Sequence, residues 1–354
     1  MPSSTKVLLI ENDCLKAMSV IPDRSINLIL CDLPYGTTQN QWDSIIPLDA
    51  LWDQYNRILA PNGAIVLMSQ GVFTAKLILS NEKYFKYKIT WEKSKATNFL
   101  NAKKQPLRKH EDICVFYPKQ PTYNPQMSQG EPYNKGVRKN QQTGSYGAFQ
   151  PAHIKSDGER YPTDVVYFKT AEAEGEVSHP TQKPVELGRY LIRTYTNEGD
   201  VILDNCFGSG SFVVAAALEN RNCIGIELNS EITKFKNKHI DLVDIAKKRL
   251  ENITQVEVSR SKDWNRVQEK MVHFWEDTPF EKQGITARLN GKFHYLKKPQ
   301  LLGQINPDAL TPAYFVHRTL NARSGRYDFL IELGQSLESF VYQWVLYALV
   351  VLHL

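Results

Sequence analysis

The chain has 354 residues, a formal net charge of +5 and a pI near 8.7, with 42% hydrophobic and 23% charged residues. These values are ordinary for a globular protein and exclude fibrous and largely disordered classes. The length allows one large core, or one core with a smaller domain. The mildly basic balance permits a polyanionic partner without requiring one.

Positive charge is unevenly distributed along the chain. Residues 1–91 carry eight Lys or Arg and eight Asp or Glu, so that segment is neutral. Residues 92–160 carry twelve basic residues against six acidic ones. The surplus of positive charge therefore lies in the middle of the chain.

Short apolar segments alternate with helical patterns in both halves of the chain. Residues 7–10 and 26–31 are rich in branched apolar residues and end at polar ones, as buried parallel strands do. This alternation predicts an α/β domain. The predicted strands are 7–10, 26–31, 64–68, 201–204 and 223–227, the predicted helices are 13–20, 48–59, 184–196 and 211–219, and a turn is predicted at 61–63.

Two regions depart from this alternation. Residues 92–178 are rich in Lys, Asn, Gln, Tyr and Pro, which favours a loop-rich insertion or a small accessory domain over more sheet. From about residue 256 the pattern is hard to interpret, and the aromatic residues there indicate a folded appendage. The apolar run Phe340–Leu354 is too short for a membrane span and predicts a buried helix or strand.

The five cysteines form no CxxC pair, and the first residues lack the charged and apolar regions of a signal peptide. We therefore expect buried, reduced thiols in a cytosolic protein, and no membrane association. The eight histidines are scattered and are not paired with cysteines, so no metal centre is expected.

A glycine-rich loop, Asp204–Ser211, lies between a predicted strand and a predicted helix. Two glycines one residue apart allow a sharp turn and bring a ligand close to backbone amides at the helix start. Glu227 ends the next strand, nineteen residues after Gly208, where a carboxylate can accept hydrogen bonds from a ribose. Position 213 is Val where a dinucleotide-binding loop has its third glycine, so a nucleoside without phosphates fits better than a pyrophosphate. A simple tight turn is the alternative.

The segment Asp32-Leu33-Pro34-Tyr35-Gly36 follows the predicted strand 26–31. Ligands of open α/β sheets bind at the carboxyl ends of strands, so chemistry is expected here. The Asp32 carboxylate and the Leu33 carbonyl are candidate acceptors for the N–H groups of an aromatic amine, and Tyr35 offers a face on which a base can stack. A strand that ends in an Asp-Pro turn is the alternative.

A third motif, His179-Pro180-Thr181-Gln182-Lys183-Pro184, leads into a predicted helix. Pro184 suits the first helical turn. Thr181 and Lys183 are candidates to bind the carboxylate of an amino-acid ligand, with Lys183 supplying the charge. A loop with a solvated lysine is the alternative.

Together, the three motifs resemble those of the amino-methyltransferases of DNA, in the group whose catalytic motif precedes its cofactor motif. Asp32–Tyr35 is similar to that family's Asp-Pro-Pro-Tyr, and Phe207–Gly210 to its Phe-x-Gly-x-Gly. His179–Pro184 matches its His-Pro-Thr-Gln-Lys-Pro segment, and the resemblance covers roughly residues 6–252. It implies a Rossmann-like, seven-stranded, mostly parallel methyltransferase sheet with helices on both faces. It also implies S-adenosyl-L-methionine as the methyl donor.

The resemblance assigns roles to individual residues. The catalytic ones would be Asp32, Leu33, Pro34 and Tyr35. The cofactor would contact Asp13, Thr181, Lys183, Asp204, Phe207, Gly208, Gly210 and Glu227. Of these, the assignment of Asp13 is weaker, because a helix cap explains that residue almost as well.

The same resemblance divides the chain into four segments. Residues 1–91 and 179–255 would form the two halves of the catalytic core, the second with the cofactor site. Residues 92–178 would read the DNA sequence through phosphate and base contacts, and residues 256–354 would form a C-terminal appendage without an assigned role.

The implied substrate is an adenine N6 amine in double-stranded DNA, reached by flipping the base, in a prokaryotic cytoplasm or from a phage. In the family, Asp at the head of the motif goes with adenine and Ser with cytosine, so methylation of the cytosine N4 amine is the alternative. Relatives often pair, so a homodimer is a candidate assembly and a cognate restriction endonuclease a candidate partner. The sequence decides neither.

The sequence departs from the family pattern at Leu33, which replaces the first proline of the motif. The carbonyl is kept, so we expect Leu33→Pro to leave activity intact or raise it. Enzymes that methylate a protein glutamine or an RNA amine have a similar loop, but their cofactor motif comes first. A DNA-binding relative without catalysis is a further alternative, opposed by the intact Asp32, Tyr35, Gly208 and Glu227.

Overall fold

The fold is given by a computed structural model of the whole chain. The described residues are 4–37, 43–137, 153–175, 177, 179, 181–229, 234–235, 238–275, 278, 285–289, 292–296, 314–320 and 327–333. The predicted buried element at Phe340–Leu354 lies outside the described residues.

The strands of the described part, in chain order, are β1 (Thr5–Glu11), β2 (Ile26–Cys31), β3 (Leu59–Ser69), β4 (Phe85–Thr97), β5 (Arg108–Phe116), β6 (Ser128–Gln129), β7 (Tyr133–Val137), β8 (His153–Ser156), β9 (Glu159–Arg160), β10 (Val165–Phe168), β11 (Val201–Asp204), β12 (Asn222–Glu227), β13 (Lys234–Phe235), β14 (Lys238–His239), β15 (Val256–Ser261), β16 (Ile285–Leu289), β17 (Lys292–Leu296), β18 (Tyr314–Leu320) and β19 (Tyr327–Leu333). The helices are α1 (Cys14–Met18), α2 (Leu48–Ile58), α3 (Val72–Ser80), α4 (Val185–Tyr195), α5 (Ser211–Leu218), α6 (Leu242–Leu250) and α7 (Trp264–Trp275). Short 3-10 turns occupy Phe99–Asn101 and Ala171–Ala173.

Within the described residues, nine strands form the main sheet in the order β10-β4-β5-β3-β2-β11-β12-β1-β15. All neighbouring pairs are parallel except β3–β5 and β4–β5, so β5 alone runs against the other eight strands. The predicted α/β class with a mostly parallel sheet is confirmed. The expected count of seven strands is wrong, because β10 and β15 add one strand to each edge. Four smaller sheets pair β6 with β9, β7 with β8, β13 with β14, and β16 to β19 in sequence.

Helices cover both faces of the main sheet. One apolar layer joins α1, α2, α3 and α7 to the sheet, and the other joins α4, α5 and α6. Side chains of a strand alternate between the layers because successive residues point to opposite faces: Leu8 and Ile10 of β1 enter the first layer, and Val7 and Leu9 enter the second. No helix in the described part of the chain has the length and apolar content needed to cross a bilayer.

Most predicted elements lie within two residues of the observed ones. Strands 26–31 and 201–204 have the predicted bounds, and α5 ends one residue early at Leu218. The turn predicted at 61–63 is wrong, since β3 runs from Leu59 to Ser69 through it. Residues 60–63 form an irregularity in β3, where Leu59 pairs with Ile26 and Ala64 with Leu28.

Two predicted segment boundaries cut through the sheet. The boundary at 91/92 falls inside β4, and β5 and β10 also belong to the main sheet, so the expectation that 92–178 adds no sheet is wrong in those three places. The boundary at 255/256 separates β1 from its neighbour β15, although Val7 pairs directly with Val258. Helix α7 then contributes Met271 and Trp275 to the core, so the core extends to residue 275.

The order of the strands creates a crevice between β11 and β2. These strands are neighbours, yet the helix after β11 (α5) and the helix after β2 (α2) lie on opposite faces of the sheet. The two connections therefore leave the carboxyl edge in opposite directions, which opens a ligand site at that point. Asp32 and Asp204 stand at this crevice, and Glu227 ends the next strand.

Candidate active site

Asp32 follows β2 at the crevice and receives two hydrogen bonds from side chains. The Lys183 ammonium donates to Oδ2 at 2.5 Å, and the Tyr35 hydroxyl donates to Oδ1 at 2.7 Å. A carboxylate offers about four acceptor positions, so two positions are left for the hydrogens of a substrate amine. The two donors also hold the carboxylate in one orientation.

Lys183 lies between two carboxylates. Besides Asp32, its ammonium lies 3.5 Å from Glu111 Oε2, and Glu111 in turn pairs with Lys93 at 3.2 Å. Lys93 is buried, and Asp32, Glu111 and Lys183 are partly buried. The four groups form an alternating chain of two negative and two positive charges, which is how buried charges avoid being left uncompensated.

Burial and neighbouring charge act in opposite directions on these groups. Burial raises the pKa of Asp32 above its ordinary value, while the charge of Lys183 opposes that rise and Glu111 adds to it. For Glu111, burial is outweighed by Lys183 and Lys93, so its pKa is lowered. The pKa of Lys183 is raised, because the two carboxylates outweigh burial. Lys183 is therefore charged at neutral pH and favours the anionic form of Asp32.

The rest of the Asp32–Gly36 segment is held by packing and by Asp43. The Tyr35 ring stacks on Phe73 with centroids 5.1 Å apart. The buried Asp43 carboxylate accepts the backbone N–H groups of Gly36 and Thr37 at 2.8 and 2.9 Å. The Leu33 side chain is 4% exposed and belongs to the core. The segment around the Asp32 carboxylate is thus held in place by several contacts.

The glycine loop turns sharply between β11 and α5. Gly208 and Gly210 both have positive φ angles, 54° and 82°. A side chain at Gly210 would also come within 2.6 Å of the Ala246 Cβ, so only glycine fits there. The Gly208 N–H donates to Glu227 Oε2 at 2.8 Å, which brings the end of β12 against the loop. Burial raises the pKa of Glu227, and its backbone hydrogen bonds oppose that rise.

The His179–Pro184 segment connects the two sites. Gln182 Oε1 accepts a hydrogen bond from the Ser209 hydroxyl of the glycine loop at 3.2 Å, while Lys183 reaches Asp32. Thr181 Oγ1 lies 3.1 Å from His179 Nδ1. Burial lowers the pKa of His179 to about 4, so the ring is neutral near pH 7.

Several residues predicted to bind the cofactor are engaged elsewhere. Lys183 contacts the Asp32 carboxylate. Asp13 is exposed and caps α1 by accepting the Lys16 N–H at 2.9 Å, as the alternative interpretation held. Asp204 is 2% exposed beneath the loop, with its pKa raised well above the ordinary value by burial. Phe207 is buried in the second apolar layer and packs close to Gly225.

Residues that sequence reasoning did not single out also shape the site. Glu111 balances Lys183, Asp43 binds the loop after the motif, and Arg249 of α6 donates to the Ser209 carbonyl of the glycine loop at 2.7 Å. None lies in a recognisable motif, and each acts on residues at least six positions away. Only the proximity of segments in the fold reveals them.

The space above the glycine loop fits a bound nucleoside. A Cβ built on Gly208 would meet no heavy atom of the described residues within 4 Å, so the backbone there faces open space beside Glu227. Backbone amides at a helix start and a carboxylate suited to ribose hydroxyls are the donors and acceptors that such a ligand requires. Among the described residues, no group of three His, Cys, Asp or Glu side chains is placed to hold a metal ion.

A family model described as "DNA methylase" matches residues 26–238, which is more than half of the chain. The chain belongs to this DNA methylase family. The match includes all three motifs, from Asp32 to Glu227.

Known proteins similar to this methylase include two curated bacterial relatives. The Type II methyltransferase M.HpaI of Haemophilus parainfluenzae is 26% identical over 250 residues, covering 66% of this chain and 74% of that protein. The DNA adenine methyltransferase YhdJ of Escherichia coli (strain K12) is 28% identical over 256 residues, covering 66% of this chain and 82% of that protein. Among solved structures, the PvuII DNA methyltransferase (cytosine-N4-specific) is 14% identical with a TM-score of 0.46, covering 72% of this chain and 95% of that one.

Proposed function

We propose that this methylase transfers a methyl group from S-adenosyl-L-methionine to the N6 amine of adenine in duplex DNA, after the base has been flipped out of the helix. The observation that carries the proposal is the placement of Asp32. It stands at the sheet crevice, is bound by Lys183 and Tyr35, and is connected through Gln182 to the glycine loop. This chain of contacts supports direct transfer between two molecules bound side by side.

An adenine amine is a weak nucleophile because its lone pair is delocalised into the ring. Asp32 and the Leu33 carbonyl are proposed to accept its two hydrogens, which favours the pyramidal amine and stabilises the positive charge that develops during attack. The free acceptor positions on Asp32 make this compatible with the contacts of Lys183 and Tyr35. The Tyr35 ring, oriented by Phe73 and by its bond to Asp32, is proposed to contact the base.

The role proposed for Lys183 is to keep Asp32 anionic. Burial alone would favour the neutral acid, which accepts hydrogen bonds less strongly. Glu111 weakens the influence of Lys183 on Asp32, because Glu111 shares the charge of Lys183. The pKa of Asp32 therefore stays above its ordinary value. The methylated amine has to lose one proton, and a carboxylate of raised pKa is a suitable acceptor for it.

The cofactor site supplies the second reactant. S-adenosyl-L-methionine, when bound, provides an electrophilic methyl group on a sulfonium. The proposed contacts are the open backbone of the glycine loop at Gly208, against which the cofactor would pack, and the Glu227 carboxylate for the ribose hydroxyls. Thr181 and Asp13 lie exposed, and each has a side-chain oxygen that is a candidate for further contacts.

Adenine is favoured over cytosine by two observations. The motif begins with Asp rather than Ser, and one curated relative is named a DNA adenine methyltransferase. Transfer to the N4 amine of cytosine is the alternative, since the same acceptor pair can hold either amine.

The proposal is tested by incubating the full chain with tritium-labelled donor and duplex DNA, and by long-read mapping of modified bases in DNA from cells that express it. We expect N6-methyladenine in one sequence context. Asp32→Ala should lower transfer at least about a thousandfold, and Asp32→Asn should retain the fold and donor binding. N4-methylcytosine would establish the alternative. Full activity of Asp32→Ala would refute the assigned centre, and donor binding without methyl transfer by the wild-type chain would indicate a catalytically inactive relative.

A further inference from the structure

The connection between β4 and β5 exposes two adjacent apolar side chains. We call residues 98–107 the β4–β5 tip. Within it, Phe99 is 79% exposed and Leu100 is 97% exposed. A single exposed apolar residue is ordinary, but two large ones side by side at the end of a hairpin mark a contact surface.

The surroundings of this pair are strongly basic. Between Ser94 and His110 the sequence has five Lys or Arg and no Asp or Glu. All five are exposed: Lys95, Lys103, Lys104, Arg108 and Lys109. A basic rim around an apolar pair fits a partner with an anionic exterior and an apolar interior, which describes the phosphates and stacked bases of duplex DNA.

The tip has a defined conformation. Asn98 adopts a left-handed conformation with φ at 70°, and its side chain accepts a hydrogen bond from Asn101 Nδ2 at 2.8 Å. The Asn101 carbonyl accepts the Lys104 N–H at 2.8 Å. Arg108 donates to Gln70 at 2.7 Å, which attaches the base of the hairpin to the end of β3. Because the pair is presented by a preformed turn, little ordering is required when it inserts.

The tip stands at the catalytic edge of the sheet. Strand β4 runs parallel to β2, so its carboxyl end lies at the same edge as Asp32. Glu111 of β5 is the link, because it contacts Lys183, which contacts Asp32. From Glu111 to Arg108, where the tip is reached, the strand extends about 10 Å at about 3.3 Å per residue.

We propose that Phe99 and Leu100 form a wedge that enters the DNA duplex beside the target base and occupies the stack while that base lies at Asp32. This inference rests on the proposed function. Apolar side chains inserted between base steps unstack them, and a base has to leave the stack before its amine can reach the enzyme. The lysines around the wedge bind the flanking phosphates.

The test compares wild type with the double variant Phe99→Ala/Leu100→Ala on two duplex oligonucleotides that carry the methylated site found by mapping. In one the target base is paired, and in the other it faces a mismatch that weakens its pairing. We expect kcat/KM of the variant to fall about 100-fold on the paired duplex and to stay within about threefold of wild type on the mismatched one. With 2-aminopurine at the target, the wild-type fluorescence increase should be lost in the variant.

Leu79→Ala is the matched control, since Leu79 is 73% exposed on α3, away from the tip. It should behave as wild type on both duplexes. Equal loss on both duplexes, or no loss on the paired one, would overturn the wedge while leaving the proposed function intact. If the double variant flips the base normally but sedimentation shows that its oligomeric state has changed, the wedge would be overturned in favour of a contact with a second copy of the chain. Wild-type chain that methylates neither duplex nor cellular DNA would instead refute the proposed function itself.

Discussion

Asp32 and Glu227 are two carboxylates next to the same crevice, each at the end of a buried strand, and burial raises the pKa of both. Their partners differ. Glu227 accepts hydrogen bonds from the backbone N–H groups of Gly208 and Asn229, so the orientation of its carboxylate depends on the conformation of the local loops. Asp32 is bound by side chains, and its main opposing charge, Lys183, comes from a segment 151 residues away. The proposed cofactor end, at Glu227, is built locally, whereas the proposed catalytic end, at Asp32, depends on side chains from distant segments and can be tuned by substituting them.

Among substitutions of the partners of the two carboxylates and of Glu227 itself, the largest effect is expected from Lys183→Met. Removal of the charge leaves Asp32 buried without its cation, so the pKa of Asp32 rises further and the acid limb of the kcat/KM profile moves to higher pH. At neutral pH, kcat should fall about 100-fold. Lys183→Arg is the control that keeps the charge. An unshifted acid limb would show that Lys183 does not govern Asp32.

Glu227→Ala should act on the donor alone. Loss of a carboxylate that accepts ribose hydroxyls should weaken donor binding about 10- to 100-fold by calorimetry, while kcat at saturating donor and duplex binding remain near wild type. Glu227→Gln keeps an acceptor and should lose less. Unchanged donor affinity in Glu227→Ala would remove Glu227 from the cofactor site.

Glu111→Gln is expected to have a smaller effect on kcat and tests the charges around Asp32 from the opposite direction. Glu111 raises the pKa of Asp32 by repulsion, so loss of its charge should lower that pKa and move the acid limb to lower pH, opposite to Lys183→Met. We expect kcat to fall less than about tenfold, because Lys183 keeps its contact with Asp32. A fall in kcat without a shift of the limb would indicate that Glu111 only supports the local structure.

The smallest effect on catalysis is expected from Leu33→Pro. The backbone carbonyl is kept, so kcat should be unchanged or higher. The buried Leu33 side chain is lost from the core, however, and the free energy of unfolding should fall by about 1–2 kcal/mol in a denaturant titration. Leu33→Ala is the control for lost packing without the added ring. A large loss of kcat in Leu33→Pro, but not in Leu33→Ala, would mean that the Leu33 backbone has a role other than presenting its carbonyl.

Local signals in the sequence predicted the elements at the cofactor end well. Strand 201–204 has its predicted bounds and α5 begins at Ser211 as expected, because two nearby glycines after an apolar strand are typical of a sharp turn into a helix. The positive φ angles of Gly208 and Gly210 and the contact with Glu227 follow from that turn. Phe207 was harder to place, since an aromatic residue in a loop can face either a ligand or the core, and here it is buried in the core.

At the catalytic end the sequence determined less. The sequence predicts Asp32 at the end of β2, as observed, but it gives no sign that Lys183 lies against Asp32 and Glu111. Residues 92–97 and 108–116 were assigned to an insertion, although β4 and β5 belong to the sheet. Strands near an edge alternate apolar and polar residues and carry lysines, so their composition resembles that of a loop.

By itself, the sequence determined the α/β class, the identities of the two carboxylates and the glycine turn, because each depends on hydrophobic period or on the conformational freedom of neighbouring residues. Only the tertiary structure decided which charges face one another. Lys93 of β4, Glu111 near the start of the antiparallel β5 and Lys183 in the loop before α4 come together at the edge where β2 ends. No spacing along the chain encodes that meeting. The β4–β5 tip with Phe99 and Leu100 extends from the same edge of the sheet.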